Sequence, residues 1–164
     1  MLCYNSLMKQ NTYDTLIMQF EGLTYDQKYL VTLLSNSSAL LMETLEDLNW
    51  AGFYLYRDGK LILGPFQGKV ACEVIEMGKG VCGTAALTDR TQLVRNVHEF
   101  PGHIACDSAS NSEIVIPLHV NGELLGVLDI DSPVLNRFDE IDQVNLEKIA
   151  ALIEKAAENT DCCK

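Results

Sequence analysis

The chain has 164 residues, of which 48% are hydrophobic, and carries a formal net charge of −11. That length is one domain's worth, and a domain of this size buries roughly two-thirds of its unfolded surface, so it needs no metal or disulfide to fold. The acidic balance argues against nucleic acid and anionic membrane surfaces, which ask for clustered Lys and Arg, and leaves a small cationic or zwitterionic ligand compatible.

No apolar run approaches the roughly 20 residues that span a bilayer. The segment Met1-Leu2-Cys3-Tyr4-Asn5 lacks the basic-then-apolar order of a signal peptide, so the expected compartment is the cytoplasm. The six cysteines are then expected to be reduced thiols. Repeats, low-complexity stretches and linkers are absent, and 1–164 reads as a single domain.

Residues 6–20 are expected to form a short helix. A second is expected from Thr24, with Asp26 and Gln27 completing a cap pattern. It runs through Leu30, Leu33, Leu34, Leu40, Leu41 and Leu45, an apolar stripe at helical spacing. The period then changes. Residues 49–56 (NWAGFYLY) read as an aromatic-rich strand, Asp58-Gly59 as a hairpin turn, and residues 60–63 (KLIL) as the return strand. Residues 72–77 read as a third strand, 81–87 as a short helix and 92–95 as a brief strand. A long loop, 96–112, contains Pro101, Gly102 and several serines, and a loop of that length is usually functional or disordered. Two strands follow, 114–120 and 124–130, around Asn121-Gly122. A final amphipathic helix is expected over 138–158, preceded by Asn136.

Tight turns between successive strands imply an antiparallel sheet. Helices from both chain ends must cover one face, which is an α+β arrangement. The other face is left for a ligand pocket under the long loop.

The hairpin 113–131 admits two registers. A two-residue turn at Asn121-Gly122 pairs Val120 with Glu123. A three-residue loop with Gly122 as a bulge pairs His119 with Glu123 and sets Glu113 across from Asp129. The second is preferred because it separates the faces. Glu113, Val115, Leu125, Val127, Asp129 and Asp131 share one side, while Ile114, Ile116, Leu118, Leu124, Leu128 and Ile130 make an apolar side for the helices. Facing carboxylates repel, so at least one is expected to hold its proton near neutral pH. Spacing alone also admits that these acids lie at a solvated strand end.

Cys3, Cys162 and Cys163 lie at the termini and are assigned no role. Cys72, Cys82 and Cys106 lie within the fold. A metal site with His103 as fourth ligand is disfavoured, since the cysteines lack the close pairing of structural zinc sites. Two readings stay open: small buried hydrophobes, or redox thiols in which one is oxidised to a sulfenic acid and a second captures it. Cys106, in the polar loop, is the better nucleophile of the three. Trp50 and Tyr54 share a strand face and read either as core or as pocket lining. His98 and His119 read as surface residues, and Gly80 and Gly83 as backbone geometry at a helix start.

The segments VCGTAA (81–86), FPGHIACDSASNSEIVIPL (100–118) and GVLDIDS (126–132) resemble free methionine-(R)-sulfoxide reductases, which are GAF-domain enzymes. The resemblance covers about residues 8–155, and the PGHIACDSAS run is its most specific part. It implies a GAF fold, an antiparallel sheet with helices on one face and a ligand cavity on the other. It implies Cys106 as nucleophile, Cys72 as resolving cysteine and Cys82 as a third motif cysteine and alternative partner. Glu113, Asp129 and Asp131 would hold and protonate the substrate, and Trp50 and Tyr54 would line its methyl end. No metal or organic cofactor is implied. The implied partners are free methionine-R-sulfoxide and a thioredoxin-like reductant, and the assembly a homodimer. A GAF sensor that binds a small molecule without turnover is the alternative; it needs the acids and aromatics but not Cys106 and Cys72.

Overall fold

The stripe Tyr13, Leu16 and Phe20, spaced three and four apart, gives the first helix one face with almost no solvent contact. In the computed structural model, which describes residues 2–102 and 109–161, that helix is α1 (Leu2–Thr24). His103, Cys106, Cys162 and Cys163 lie outside the described residues. The leucine stripe forms α2 (Leu30–Thr44), and the C-terminal stripe forms the last helix, α4 (Glu140–Ala157). α2 and α4 cover one face of the sheet, burying Leu33, Leu34, Leu41, Leu146, Ile149 and Ile153, and α1 packs against these two helices.

The strands are β1 (Trp50–Arg57), β2 (Lys60–Gly68), β3 (Val74–Glu76), β4 (Gln92–Val94), β5 (Ser112–Val120) and β6 (Glu123–Ser132). They form one antiparallel sheet in the order β3-β2-β1-β6-β5-β4. The short helix α3 (Gly80–Thr88) lies on the face opposite the other three, with Val81, Cys82, Ala85 and Ala86 packed among Tyr54, Val115 and Val127. The helices therefore divide between the two faces, and the second face is walled by α3. Where the loop was expected, a 3₁₀ turn spans Val97–Glu99.

Two helix starts differ from expectation. Thr24 ends α1, its hydroxyl donating to the Phe20 carbonyl at 2.7 Å. Asp26 turns the chain with a left-handed φ of 52°, a conformation Asp tolerates better than most residues. The amide of Leu30 is capped by the Asp161 carboxylate at 2.9 Å, a partner 131 positions away. At α4 the cap is Asp139, not Asn136: its carboxylate accepts from the amides of Ile141 and Asp142, and the Asp142 carboxylate accepts from the Asp139 amide.

The β5–β6 register also differs. Asn121 and Gly122 both have positive φ, 54° and 81°, and form the two-residue turn, pairing Val120 with Glu123. Continued without interruption, that register would set Glu113 against Ile130, an acid on the apolar side. One extra residue on β6 corrects it: His119 pairs with Leu124, but Leu118 pairs with Gly126. Glu113 therefore faces Asp131, and Asp129 faces Val115. The bulge also exchanges two leucines, since Leu125 joins the helix-side core and Leu124 packs on the opposite cluster. Gly126 is fixed by sterics. Its φ is +156°, and a Cβ there would lie 2.0 Å from the Tyr54 carbonyl oxygen of β1.

Candidate active site

Residues of β1 that alternate onto the α3 side bring Trp50 and Tyr54 into one buried cluster. Their rings stack at 5.9 Å between centroids, and Trp50 stacks on Phe66 of β2 at 5.2 Å. Phe66 was not anticipated, because the return strand was expected over 60–63 only, whereas β2 continues through Gly68. The Trp50 indole N–H donates to the Lys69 carbonyl at 3.1 Å, and the Tyr54 hydroxyl donates to the Cys72 carbonyl at 3.1 Å. Both polar tips are thus satisfied, and the ring faces are left as the apolar wall.

The bulge and the β5–β6 pairing carry Glu113 and Asp129 to the same side, each only 6% exposed. Cys82 projects from α3 onto them. Its S–H donates to Glu113 Oε1 at 3.8 Å, and one ligating atom of each of the three lies within 4.8 Å of the others. Asp129 Oδ1 is buried and has no hydrogen-bond partner among the described residues. An acceptor left so is costly unless a ligand completes it. Asp131, on the same face and partly exposed, adds negative charge to this group.

Burial governs the protonation states. It pushes the Glu113 carboxyl well above the usual carboxylate range, with the charges of Asp129 and Asp131 adding to it. Burial raises Asp129 to about 6, against the hydrogen bonds of Cys82 and Glu113, which hold it down. At neutral pH the pair therefore keeps one proton and one negative charge between its two carboxyls. Burial first, then the neighbouring acids, pushes the Cys82 thiol up, so it stays S–H. The arrangement can donate a proton to an oxygen and bind an ammonium within one small volume. The same three side chains are the set among the described residues that could ligate a metal ion, but burial favours the protonated form of each.

Of the expected site residues, Trp50, Tyr54, Cys82, Glu113 and Asp129 come together, with Asp131 alongside. Cys72 is joined to them through the Tyr54 hydroxyl and is disulfide-bonded, whereas Cys82 is a free thiol. Cys106 is outside the described residues. His98 is exposed and touches Asn111 Oδ1 at 2.8 Å. His119 is partly buried, between Asp89 at 2.9 Å and Glu154 at 3.5 Å.

A family model described as GAF domain matches residues 37–158. The chain is 50% identical over 153 residues to the free methionine-R-sulfoxide reductase of Escherichia coli (strain K12), covering 93% of each chain. It is 48% identical over 160 residues to the free methionine-R-sulfoxide reductase of Saccharomyces cerevisiae, covering 93% of this chain and 89% of that one. The X-ray structure of free methionine-R-sulfoxide reductase from Neisseria meningitidis in complex with its substrate matches with a TM-score of 0.91 at 40% identity, covering 95% of this chain and 94% of that chain.

Proposed function

The chain belongs to the GAF-domain free methionine-R-sulfoxide reductases, and we propose that it reduces free L-methionine-(R)-S-oxide to L-methionine by the thiol chemistry of Cys106 and Cys72. The observation that carries this reading is the buried Glu113–Asp129 pair, with one proton and one carboxylate oxygen unpartnered among the described residues, beside the Trp50–Tyr54 stack.

A sulfoxide is a poor electrophile until its oxygen is protonated. Glu113, kept protonated by burial, supplies that proton as the Cys106 thiolate attacks sulfur. The S–O bond breaks, methionine leaves, and Cys106 becomes a sulfenic acid. The Cys72 thiol condenses with it, water is released and a disulfide forms. A thioredoxin-like dithiol then reduces that disulfide and is itself oxidised. The disulfide at Cys72 supports its resolving role.

Asp129 and Asp131 accept the ammonium of the free amino acid, and the aromatic wall takes the S-methyl end. An ammonium held at buried carboxylates explains a preference for free methionine sulfoxide, because a peptide-bound residue has an amide nitrogen there and no charge. Among the described residues no helix is long and apolar enough to cross a membrane, which is compatible with work in the cytoplasm beside such a reductant.

The test is incubation of the reduced protein with each epimer of free methionine sulfoxide and dithiothreitol, with methionine measured by chromatography. Many turnovers are expected with the R epimer and almost none with the S epimer. No methionine from the R epimer overturns the reading.

A further inference from the structure

We infer that Cys82 is a positioning residue for this reaction: its S–H donates to the Glu113 carboxyl and fixes the proton of the Glu113–Asp129 pair, and the thiol takes no part in electron transfer. The inference rests on the sulfoxide-reductase reading and assigns the third motif cysteine a role other than an alternative disulfide partner.

The placement of the thiol is the first argument. Cys82 sits in the first turn of α3, which packs closely on the turn before it. Gly83 lies so close to the preceding turn that a Cβ there would meet the Glu76 carbonyl oxygen at 2.4 Å. The Gly78 amide donates to the Gly83 carbonyl at 2.7 Å, and the Thr84 hydroxyl donates to the Gly80 carbonyl at 2.6 Å. Cys82 is 4% exposed and held against Glu113 Oε1. A resolving thiol must reach a sulfenic acid and then present its disulfide to an external dithiol, so it needs mobility and access. Cys82 is almost closed off from solvent, and it is a free thiol while Cys72 is disulfide-bonded.

What the thiol touches is the second argument. The chain of donors runs from the Cys82 S–H to Glu113, and from the Glu113 carboxyl to Asp129, whose Oδ1 has no partner among the described residues. Among the described residues, Asp131 from β6 and Tyr54 from β1 are the other titratable groups facing these three. The thiol's hydrogen bonds favour the charged forms of Glu113 and Asp129, opposing the burial that raises both. Without that donor both acids hold their protons to higher pH, and the ammonium site is neutralised at pH values where the wild type still binds.

The experiment uses reduced enzyme and one equivalent of sulfoxide without external reductant, so that resolution cannot limit the rate of methionine release. Cys82→Ala is expected to slow the release by about tenfold, the worth of a hydrogen bond to an ionisable group, and to move the acid limb of its pH profile upward. Cys82→Ser, which restores a donor but cannot form a disulfide, is expected within about threefold of wild type, with the limb restored. Equal behaviour of the two variants in rate and pH profile overturns the inference. A second measurement needs no variant: disulfide mapping of the wild type after one turnover should find Cys82 reduced, and a disulfide containing Cys82 overturns the inference. A wild type that releases no methionine overturns the reductase reading itself and so separates the two failures.

Discussion

Replacing Asp129 by Asn should make the protein more stable and a poorer catalyst at once. The carboxyl titrates at 3.8 in an open chain and at about 6 in the fold, where burial opposes its charge. A raised carboxyl binds more protons in the folded than in the unfolded state between those two values. The contribution of this one carboxyl to stability therefore falls as pH climbs from 3.8 to about 6 and is flat above. The difference between the two values corresponds to about 3 kcal/mol above pH 6. Asn keeps the shape and removes the ionisation. For a domain of this length, about 3 kcal/mol is roughly 6–12 °C in Tm. Thermal melts of the reduced wild type and Asp129→Asn, without substrate, should coincide near pH 3.5, diverge through pH 5 and stay apart by that amount at pH 7.5. The same variant loses the charge that holds the ammonium, so kcat/KM should fall by at least about thirtyfold. Parallel melting curves at every pH, or a variant less stable at pH 7.5 than at pH 4 relative to wild type, would refute the argument that burial strains this carboxylate.

Two further substitutions test the fold that aims the acids. Gly126→Ala should destabilise by about 3 kcal/mol or more, because the methyl group collides with the Tyr54 carbonyl and φ stays at +156°; an unchanged urea midpoint would contradict the close approach of β1 and β6. Asp139→Ala should cost about 1–2 kcal/mol by removing the cap of α4. It also removes one of the two carboxylates that Lys9 bridges, leaving Lys9 paired with Asp142 alone. Chemical denaturation reads this directly, and a loss within experimental error would show that the capping box carries no weight.

Periodicity was enough for the order of elements, the antiparallel sheet and the faces of most strands, because the stripes on α2 and α4 and the alternation in β5 are strong. What it missed depends on partners far away in the chain. The cap of α2 is Asp161, which no local pattern around Thr24 reveals. The hairpin register turned on a bulge, and its signal was Gly126. Asn121-Gly122 pointed correctly to a two-residue turn, but that turn alone sets Glu113 on the wrong side, and the extra residue that restores the side leaves no mark other than the glycine. The hairpin reading already brought Glu113 and Asp129 to one face, but the approach of Cys82 from α3 joins parts far apart in the chain and left no local mark. Phe66 lies beyond the expected strand 60–63, in the part of β2 that runs on to Gly68. Tyr13, Lys9, Arg137 and the fully buried Asp142 form an ion-paired network between α1 and the start of α4 that has no local sequence signature either.

The central claim is that the Cys106 sulfur attacks a free sulfoxide whose oxygen and ammonium are held by acids of β5 and β6. Its most direct test mixes reduced Cys72→Ser enzyme with an excess of free methionine-R-sulfoxide and dimedone, without dithiol, and follows both methionine and the labelled peptide. About one methionine per enzyme, matched by dimedone on Cys106, is the predicted result, since attack precedes disulfide capture. Methionine released with the label on another cysteine, or with none, would contradict it.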